Sequence, residues 1–388
     1  MRTRTAASEP ALPHLETRLI HAGHDTNTSS GAVVTPIFQS STFRDATHDA
    51  ARSYDAIRYT RLSNGPQHQV LHDRLAAITE TGRALTSASG MAAISATLMA
   101  LGGRVFFSRH LYGGTAHLVN HDLPRLGIPC DVASNDDIGT WESELHPDTT
   151  VLYVEAISNP TNVILDLPAV AALARRRSLI TVIDATFASP VNLLPSRLGF
   201  DLEVHSATKY LNGHSDVIAG VVAGRADLVE RVHTLQNHLG GSLDPHALFL
   251  LERGLKTLAL RVRHQNRSAL ALAEALAAHP KVRRTTHPLL TRPGGHPHFQ
   301  GYGGVFSFEL DDGALAERLL ETLTLATNAT SLGGPETLVT RPVATSHTSV
   351  PSQVRESLGI SEGLVRVSVG LEHEDDLRAD FISALDRL

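Results

Sequence analysis

The apolar positions of this chain follow two alternating periods. Helical spacing runs through three segments, residues 67–78, 91–101 and 167–177. Short runs rich in β-branched residues form three others, residues 151–155, 179–184 and 217–222. Strands that alternate with helices usually pair in parallel and are covered by those helices, so the pattern predicts an α/β fold with a mostly parallel sheet.

The C-terminal third of the chain has a different pattern. An Ala-, Leu- and Arg-rich stretch at residues 248–278 keeps helical spacing, and strand-like runs follow at residues 306–310 and 364–369. This predicts one long helix that leads into a smaller α/β unit, with the domain boundary inside the helix. We divide the chain into an N-terminal arm at 1–58, a large domain at 59–255 and a C-terminal α/β domain at 256–388.

Composition and charge restrict the class of protein. Of 388 residues, 42% are hydrophobic and 19% are charged, and no apolar run approaches the roughly 20 residues of a membrane helix. No secretory signal follows the first arginines, so we expect a cytoplasmic protein. The net charge of −6 has interspersed signs, which argues against nucleic acid as a partner. The 22 histidines show no spacing such as HExxH, so no metal is expected.

Lysine is rare, and the three examples are Lys209, Lys256 and Lys281. Lys209 follows a strand-like segment, lies beside the hydroxyls of Ser206 and Thr208, and precedes the turn signal Asn-Gly-His-Ser-Asp. A lysine amine is a nucleophile only when it is deprotonated, and burial at a strand end lowers its pKa. Lys209 is therefore the candidate nucleophile, whereas the other two lysines fit structural positions.

Two further signals lie at a strand end and a helix start. Asp184 ends an apolar run, where its carboxylate can meet a protonated ring nitrogen at the carboxyl edge of a parallel sheet. An ordinary helix N-cap is the alternative role for Asp184. The small-residue turn that ends at Met91 opens a helix whose N–H groups favour a phosphate. With Lys209, these signals suit a cofactor that carries an aldehyde and a phosphate.

A set of motifs, taken together, resembles those of one enzyme family. They are Tyr59-Thr-Arg61, Ser89-Gly-Met91, Tyr112-Gly-Gly-Thr115, Ser158-Asn-Pro160, Asp184, Ser206-Ala-Thr-Lys-Tyr-Leu-Asn-Gly-His-Ser-Asp216 and Ser331-Leu-Gly-Gly334. The chain resembles the Cys/Met-metabolism family of pyridoxal-phosphate (PLP) enzymes, which includes cystathionine γ-synthase, cystathionine γ-lyase, methionine γ-lyase and the acylhomoserine sulfhydrylases. The resemblance runs from about residue 17 to the C-terminus and implies the aminotransferase-like fold of PLP enzymes, fold type I.

For the cofactor site, the resemblance implies a role for each matching residue. Lys209 forms the Schiff base and moves protons, Asp184 pairs with the pyridinium nitrogen, and Tyr112 stacks on the ring and exchanges protons. Four residues of the same subunit hold the phosphate, namely Gly90, Met91, Ser206 and Thr208. Tyr59 and Arg61 reach the phosphate of the neighbouring subunit. The implied assembly is a homodimer with shared active sites, usually doubled to a tetramer, in which the N-terminal arm contacts the partner.

For the substrate, the resemblance implies a small amino acid whose carboxylate is bound by Arg366, with help from Asn159 and Ser331. Lys209 removes the Cα proton and then a Cβ proton, and departure of the γ-substituent leaves a vinylglycine-type intermediate. Water then yields a 2-oxo acid and ammonia, or a nucleophile adds at Cγ. We predict γ-elimination by a lyase. The alternative is a γ-replacement synthase or sulfhydrylase, and the remote alternative is a non-catalytic PLP-fold binding protein.

The chain departs from the family's patterns at positions that face the distal part of a substrate. Thr330 stands where cystathionine enzymes carry a glutamate that meets the distal amino group, and His117 stands where they often carry an arginine for the distal carboxylate. Gly114 replaces the cysteine of typical methionine γ-lyases, and Ala185 replaces the usual asparagine after Asp184. Because two ionic contacts are missing, we predict a small, uncharged leaving group such as a thioether, an acyl ester or a halide.

Overall fold

The computed structural model describes residues 12–23, 31–44, 57–348 and 350–388. The strands are β1 (Arg83–Ser87), β2 (Arg104–Phe107), β3 (Cys130–Val132), β4 (Thr149–Glu155), β5 (Ile180–Asp184), β6 (Leu202–Ser206), β7 (Gly220–Gly224), β8 (Arg284–Thr285), β9 (Val305–Glu309), β10 (Thr327–Asn328), β11 (Leu338–Thr340) and β12 (Leu364–Ser368). The α-helices are α1 (Leu15–His21), α2 (Pro66–Thr79), α3 (Gly90–Leu101), α4 (Gly113–His117), α5 (Leu123–Arg125), α6 (Ile138–Glu144), α7 (Leu167–Arg177), α8 (Ser189–Asn192), α9 (Ala226–Leu239), α10 (Pro245–Leu255), α11 (Leu258–Ala277), α12 (Pro288–Thr291), α13 (Gly313–Thr322), α14 (Ser352–Ser357) and α15 (Glu374–Asp386).

The larger layer is a seven-stranded sheet with the order β1-β7-β6-β5-β4-β2-β3. Strand β7 is antiparallel to both of its neighbours, and the other pairs are parallel. Apolar side chains leave this sheet on both faces, for example Val151 on one face and Leu152 on the other, and both are completely buried. Strands covered by helices on both sides need such continuous apolar runs, which explains why β4 lacks simple alternation.

The smaller layer is a five-stranded sheet with the order β10-β11-β12-β9-β8. Its apolar face packs with α11, α13 and α15 into a separate core that includes Phe306, Phe308 and Phe381. The predicted α/β fold, with a mostly parallel sheet and a smaller C-terminal α/β unit, is confirmed. In the ranges that the structure describes, no helix is long and apolar enough to cross a membrane.

The predicted N-terminal arm is only partly visible in this structure. Residues 1–11, 24–30 and 45–56 lie outside the described residues. The predicted domain limits, including the one between residues 255 and 256, stay predictions.

The prediction of one long helix at residues 248–278 is wrong, because α10 ends at Leu255 and α11 begins at Leu258. Gly254 packs against the backbone of Asn212, which leaves no room for a side chain on that turn. The buried guanidinium of Arg261 donates to the carbonyls of Gly254 and Tyr210, at 2.9 and 3.0 Å. Arg261 thereby donates to the Gly254 carbonyl in the last turn of α10, where a helix leaves carbonyl groups short of regular partners, and this stabilises the break.

Candidate active site

Three strand ends meet at one edge of the large sheet. Glu155 ends β4, Asp184 ends β5 and Ser206 ends β6, and the strand register pairs Glu155 directly with Asp184. The carboxyl ends of parallel strands form the usual ligand crevice of α/β sheets. The first turn of α3 closes the crevice from another side, because Gly90 packs so tightly on Ser206 that a Cβ at residue 90 would come within 2.7 Å of the Ser206 Cβ.

Lys209 lies in the loop that leaves β6 at this edge. Its backbone N–H donates to the Ser206 carbonyl at 3.1 Å. The neighbouring Thr208 hydroxyl accepts from the Ala219 N–H at 3.0 Å, and the Thr208 N–H donates to the Ala219 carbonyl at 3.2 Å. The strand predicted at residues 217–222 is therefore placed too early: β7 begins at Gly220, since residue 219 braces the lysine loop instead of the sheet.

The surroundings of Lys209 favour the unprotonated, nucleophilic form of its amine. Its Nζ donates to the Ser331 hydroxyl at 2.8 Å. Burial lowers the pKa of Lys209, the positive charge of Arg366 acts in the same direction, and together they bring it to about 8. A larger fraction of this lysine is therefore an unprotonated amine near neutral pH than of an ordinary surface lysine.

Asp184 presents a carboxyl group to the same crevice. Its Oδ1 accepts from the Thr186 N–H at 2.9 Å, and the Tyr153 hydroxyl lies 3.4 Å from Oδ2. Burial raises the pKa of Asp184, whereas the hydrogen bonds from Thr186 act in the opposite direction. The side chain of Ala185 packs into the main core on the other face of the sheet. The replacement of asparagine at residue 185 therefore does not touch the crevice in this structure.

Arg366 is a buried cation at the centre of the smaller sheet. It lies on β12 and is only 4% exposed. Its Nη1 donates to Asn159 Oδ1 at 3.2 Å and its Nη2 to the Ser331 carbonyl at 2.8 Å. Burial lowers the pKa of Arg366 to about 10, and its Nε has no partner among the described residues. Such a guanidinium has unused capacity for a carboxylate.

The remaining predicted site residues lie at the rim or at a distance. Tyr112 is 41% exposed at the start of α4, and Thr330 is exposed beside Ser331. His117 is exposed at the end of α4, where its ring lies 4.5 Å from that of His121.

Tyr59 and Arg61 form a pair of their own. The Arg61 guanidinium lies over the Tyr59 ring at 5.5 Å, and its Nη1 donates to the Asn237 carbonyl at 2.6 Å. The structure thus brings Lys209, Ser331, Arg366 and Asn159 together by direct hydrogen bonds and joins Asp184 to them at the sheet edge. For Tyr59 and Arg61 the structure shows their own pairing and the contact with the Asn237 carbonyl.

Glu155 is a site residue that the sequence analysis missed. It lies at the end of β4 beside Asp184 and accepts a hydrogen bond from the Tyr112 N–H. A signal for it exists in the sequence, because a carboxylate ends an apolar strand just before Ser158-Asn-Pro160, in the same way that Asp184 ends the next strand. The apolar pattern of residues 151–155 by itself indicates only a strand residue at Glu155.

The residues present fit PLP. The tight contact of Gly90 with Ser206 brings the opening N–H groups of α3 toward the hydroxyls of Ser206 and Thr208, an arrangement suited to a phosphate. The lowered pKa of Lys209 suits an amine that attacks an aldehyde, and Asp184 offers a carboxylate for a pyridinium nitrogen. Anion site, amine and carboxylate thus occur together at one sheet edge.

Comparisons with known proteins agree with this geometry. A profile of the family described as "Cys/Met metabolism PLP-dependent enzyme" matches residues 16–386. Cystathionine β-lyase of Bacillus subtilis is 38% identical over 381 residues, which are 96% of this chain and 97% of that protein. L-methionine γ-lyase of Pseudomonas putida is 38% identical over 389 residues, 96% of this chain and 98% of the relative.

Two solved structures share the fold over nearly their whole length. Cystathionine γ-lyase of Lactobacillus plantarum, complexed with L-serine, has a TM-score of 0.89 at 33% identity, with 96% of this chain and 99% of that chain covered. An O-acetylhomoserine (thiol)-lyase of Campylobacter jejuni, crystallised with N'-pyridoxyl-lysine-5'-monophosphate, has a TM-score of 0.90 at 28% identity, with the same coverage. The predictions of the fold, of PLP as cofactor and of an enzyme are confirmed. The chain belongs to the Cys/Met-metabolism family of PLP-dependent enzymes.

Proposed function

We propose that this enzyme is a γ-lyase that removes an uncharged γ-substituent from a small amino acid. The observation that carries the proposal is the charge of the cavity next to the lysine. A cavity of about 540 Å³ is lined by Thr208, Thr330 and Ser331, and the carboxylates of Asp216 and Glu336 also line it. Among the described residues, its lining contains no Lys, Arg or His. Such a wall disfavours a substrate whose distal end carries a carboxylate.

We assign the cofactor contacts to the residues that the sequence motifs single out. Gly90, Met91, Ser206 and Thr208 bind the phosphate, Asp184 meets the ring nitrogen, and Tyr112 covers the ring. What supports this assignment is the convergence of α3, Asp184 and Lys209 at the sheet edge. When bound, PLP stabilises the electron pair that is left as a substrate loses a proton next to its amino group.

The residues of this chain then act on the substrate. Arg366, held by Asn159 and the Ser331 carbonyl, binds the substrate carboxylate and orients the Cα–H bond. Lys209 takes the Cα proton and afterwards a proton from Cβ, while the Ser331 hydroxyl 2.8 Å away holds its Nζ in place. The γ-substituent leaves with its bonding electrons. Water and the returned protons complete the products, which are a 2-oxo acid, ammonia and the protonated leaving group.

A substrate screen tests the proposed leaving group. The purified, PLP-loaded enzyme is given methionine, cystathionine, O-acetylhomoserine, O-succinylhomoserine and a γ-halo amino acid, each with and without an added thiol. We expect 2-oxobutanoate without thiol from the substrates with an uncharged γ-group. We expect kcat/KM for O-succinylhomoserine to be about 10-fold or more below that for O-acetylhomoserine, because the succinyl carboxylate meets the acidic wall.

Other products in the screen would indicate a different reaction. Pyruvate from cystathionine as the preferred activity would make the chain a β-lyase, like the named relative from Bacillus subtilis, and would contradict the proposal. A product that forms only with thiol would establish γ-replacement, which the likeness to the Campylobacter jejuni O-acetylhomoserine (thiol)-lyase favours as the second candidate.

The pKa of Lys209 predicts how the apoenzyme takes up PLP. Only the unprotonated amine attacks the aldehyde, and burial together with Arg366 lowers the Lys209 pKa to about 8. The rate of covalent attachment should therefore rise as the pH increases through about 8 and level off above it. Stopped-flow absorbance between pH 6 and 10 measures this rate. A midpoint near the ordinary lysine value of about 10.4 would contradict the proposed environment.

We further propose that the working unit is a homodimer with shared sites. Arg61 packs on the Tyr59 ring and donates to the Asn237 carbonyl, and the family resemblance places both residues at the phosphate of the partner. One subunit then supplies Lys209 and Asp184, and the other supplies Tyr59 and Arg61. Pairing of two dimers into a tetramer fits the same resemblance.

Mixed dimers test this sharing. Arg61→Ala and Lys209→Ala subunits are inactive or weak alone, but a mixed dimer contains one site with both residues intact. Co-expression in equal amounts should restore about a quarter of the wild-type sites, since half of the dimers are mixed and one of two sites in each is complete. If no activity returns although mixed dimers are isolated by dual tags, the site is formed within one subunit.

A further inference from the structure

Glu155 is a buried acid in the middle of the site, and the proposed reaction leaves it without a task. It is 7% exposed, and it ends β4 where the register places it next to Asp184 on β5. Neighbouring residues of paired strands point to the same face of a sheet, so the two carboxyl groups lie side by side. This position is independent of which leaving group the enzyme accepts.

The contacts of Glu155 reach two separate walls of the site. Its Oε1 accepts from the backbone N–H of Tyr112, the residue just before α4 that we assign to cover the ring. The backbone N–H of Asn159 also acts on the Glu155 carboxyl group and favours its ionised form. Asn159 in turn holds Arg366 through Oδ1 at 3.2 Å. One side chain therefore ties the ring-covering loop and the carboxylate-binding loop to the sheet edge.

The charge of Glu155 follows from its neighbours. Burial raises the pKa of Glu155 well above its usual range, and the adjacent carboxylate of Asp184 raises it further. The other ionisable group on this face, Tyr153 of β4, has a pKa well above its usual value because of burial, so it is neutral as well. No described cation forms an ion pair with Glu155 that could offset a second negative charge. Burial raises the pKa of Asp184 too, but hydrogen bonds from Thr186 and Tyr153 act in the opposite direction and favour its ionised form.

We propose that Glu155 is a positioning residue: in its neutral acid form it fixes the Tyr112 and Asn159 backbones around the cofactor and leaves Asp184 as the single anion at the ring nitrogen. Neutral Glu155 still accepts from the Tyr112 N–H, since a protonated carboxyl group keeps acceptor lone pairs. Glu155 thus sets the distance between the loop at Tyr112 and the loop at Asn159 that holds Arg366.

Three variants test this proposal in the PLP-loaded enzyme. Glu155→Gln keeps an acceptor oxygen and has no charge, Glu155→Ala removes the acceptor, and Glu203→Gln is the matched control. Glu203 is a buried carboxyl on β6 paired with Ile183, so it points to the opposite face from Asp184 and contacts no residue of the site. The readouts are the PLP dissociation constant, the pH titration of the bound-cofactor absorbance, and separate kcat and KM values.

The proposal gives a different expectation for each variant. Glu155→Gln and Glu203→Gln should keep the midpoint of the absorbance titration within about 0.3 pH units of wild type. Glu155→Ala should weaken PLP binding and raise KM by about 10-fold each, since two backbone donors lose their acceptor. A shift of about one pH unit or more in Glu155→Gln would show that Glu155 carries a charge and would overturn the neutral form.

The positioning role is overturned separately. If Glu155→Ala folds and has wild-type PLP affinity and KM, Glu155 does not position either wall. If Glu155→Ala does not fold, Glu155→Gln decides alone, because a 10-fold loss of PLP affinity with an unchanged Glu203→Gln control would contradict rescue by an uncharged acceptor. These outcomes are distinct from failure of the proposed leaving group, which the product screen measures.

Discussion

Lys209→Ala is expected to lower kcat by about 10³-fold or more, because the variant loses both the nucleophile for the cofactor and the base for the substrate protons. It should also lose the visible absorbance that PLP acquires on covalent attachment to a lysine. PLP should still bind non-covalently, since the phosphate contacts at α3, Ser206 and Thr208 remain. Absorbance spectra before and after gel filtration measure both effects.

Because lysine is rare in this chain, every other lysine can be replaced as a control for this prediction. The chain contains only two other lysines. Lys256 lies 3.7 Å from Glu252, and the Nζ of Lys281 donates to the Leu385 carbonyl at 2.8 Å, so both have structural partners. Lys256→Ala and Lys281→Ala should keep the absorbance and most of the activity. If covalent PLP persists in Lys209→Ala, another lysine forms the bond and the assignment is wrong.

The sequence predicted elements well where local pattern and packing agree. The helix predicted at residues 167–177 matches α7 (Leu167–Arg177), whose N-cap Asp166 accepts from the Ala169 N–H and whose last turn carries three arginines. Segments 67–78 and 91–101 correspond to α2 and α3 within one residue at each end. In these helices the start signal, the apolar spacing and the stop signal lie in the sequence itself.

Elements whose limits depend on distant residues were not predicted. The end of α10 rests on Asn212, which is remote from Gly254 in the sequence, and on Arg261, which reaches back to Gly254 from the next helix. Strand β1 (Arg83–Ser87) was missed because its partner is β7, far along the chain, and its antiparallel register can be known only from the folded sheet. The start of β7 was misplaced because Ala219 pairs with Thr208 rather than with a strand.

The residues of the candidate site likewise differ in whether a local sequence signal identifies them. Lys209 and Asp184 could be found from the residues alone, because a rare lysine and a strand-end carboxylate are local signals. Arg366 and Tyr112 came from the family resemblance, since neither has a local signal that separates it from structural residues. Glu155 was not found, because its importance comes from two backbone donors, Tyr112 and Asn159, that only the folded chain brings to it.

Arg366→Ala should reduce kcat/KM by about 10²- to 10³-fold, because truncation of one partner of a buried, hydrogen-bonded charge pair typically costs 2–5 kcal/mol. The loss should depend on the substrate carboxylate. The corresponding α-carboxamide should be a poor substrate of the wild type and should lose little further activity in the variant. Arg366→Lys should recover only part of the loss, since an ammonium cannot replace the two parallel N–H donors.

Arg366→Ala has a second expected effect, which distinguishes loss of the Arg366 charge from loss of its packing. Arg366 lowers the pKa of Lys209, although burial is the larger cause. Without that positive charge the Lys209 pKa rises, so the pH midpoint of PLP attachment to the apoenzyme should move above about 8. Arg261→Ala is the matched control, because Arg261 is also a buried arginine with a pKa lowered to about 10, yet it binds only backbone carbonyls and Thr257.

Arg261→Ala should lower the unfolding temperature while the ratio of acid to amide turnover and the attachment midpoint stay unchanged. The comparison therefore assigns any change that is seen in Arg366→Ala alone to the charge at residue 366. Equal losses for acid and amide in Arg366→Ala, with an unchanged midpoint, would show that Arg366 only supports the fold of β12. The carboxylate would then have to be bound elsewhere, and the proposed orientation of the Cα–H bond toward Lys209 would fail with it.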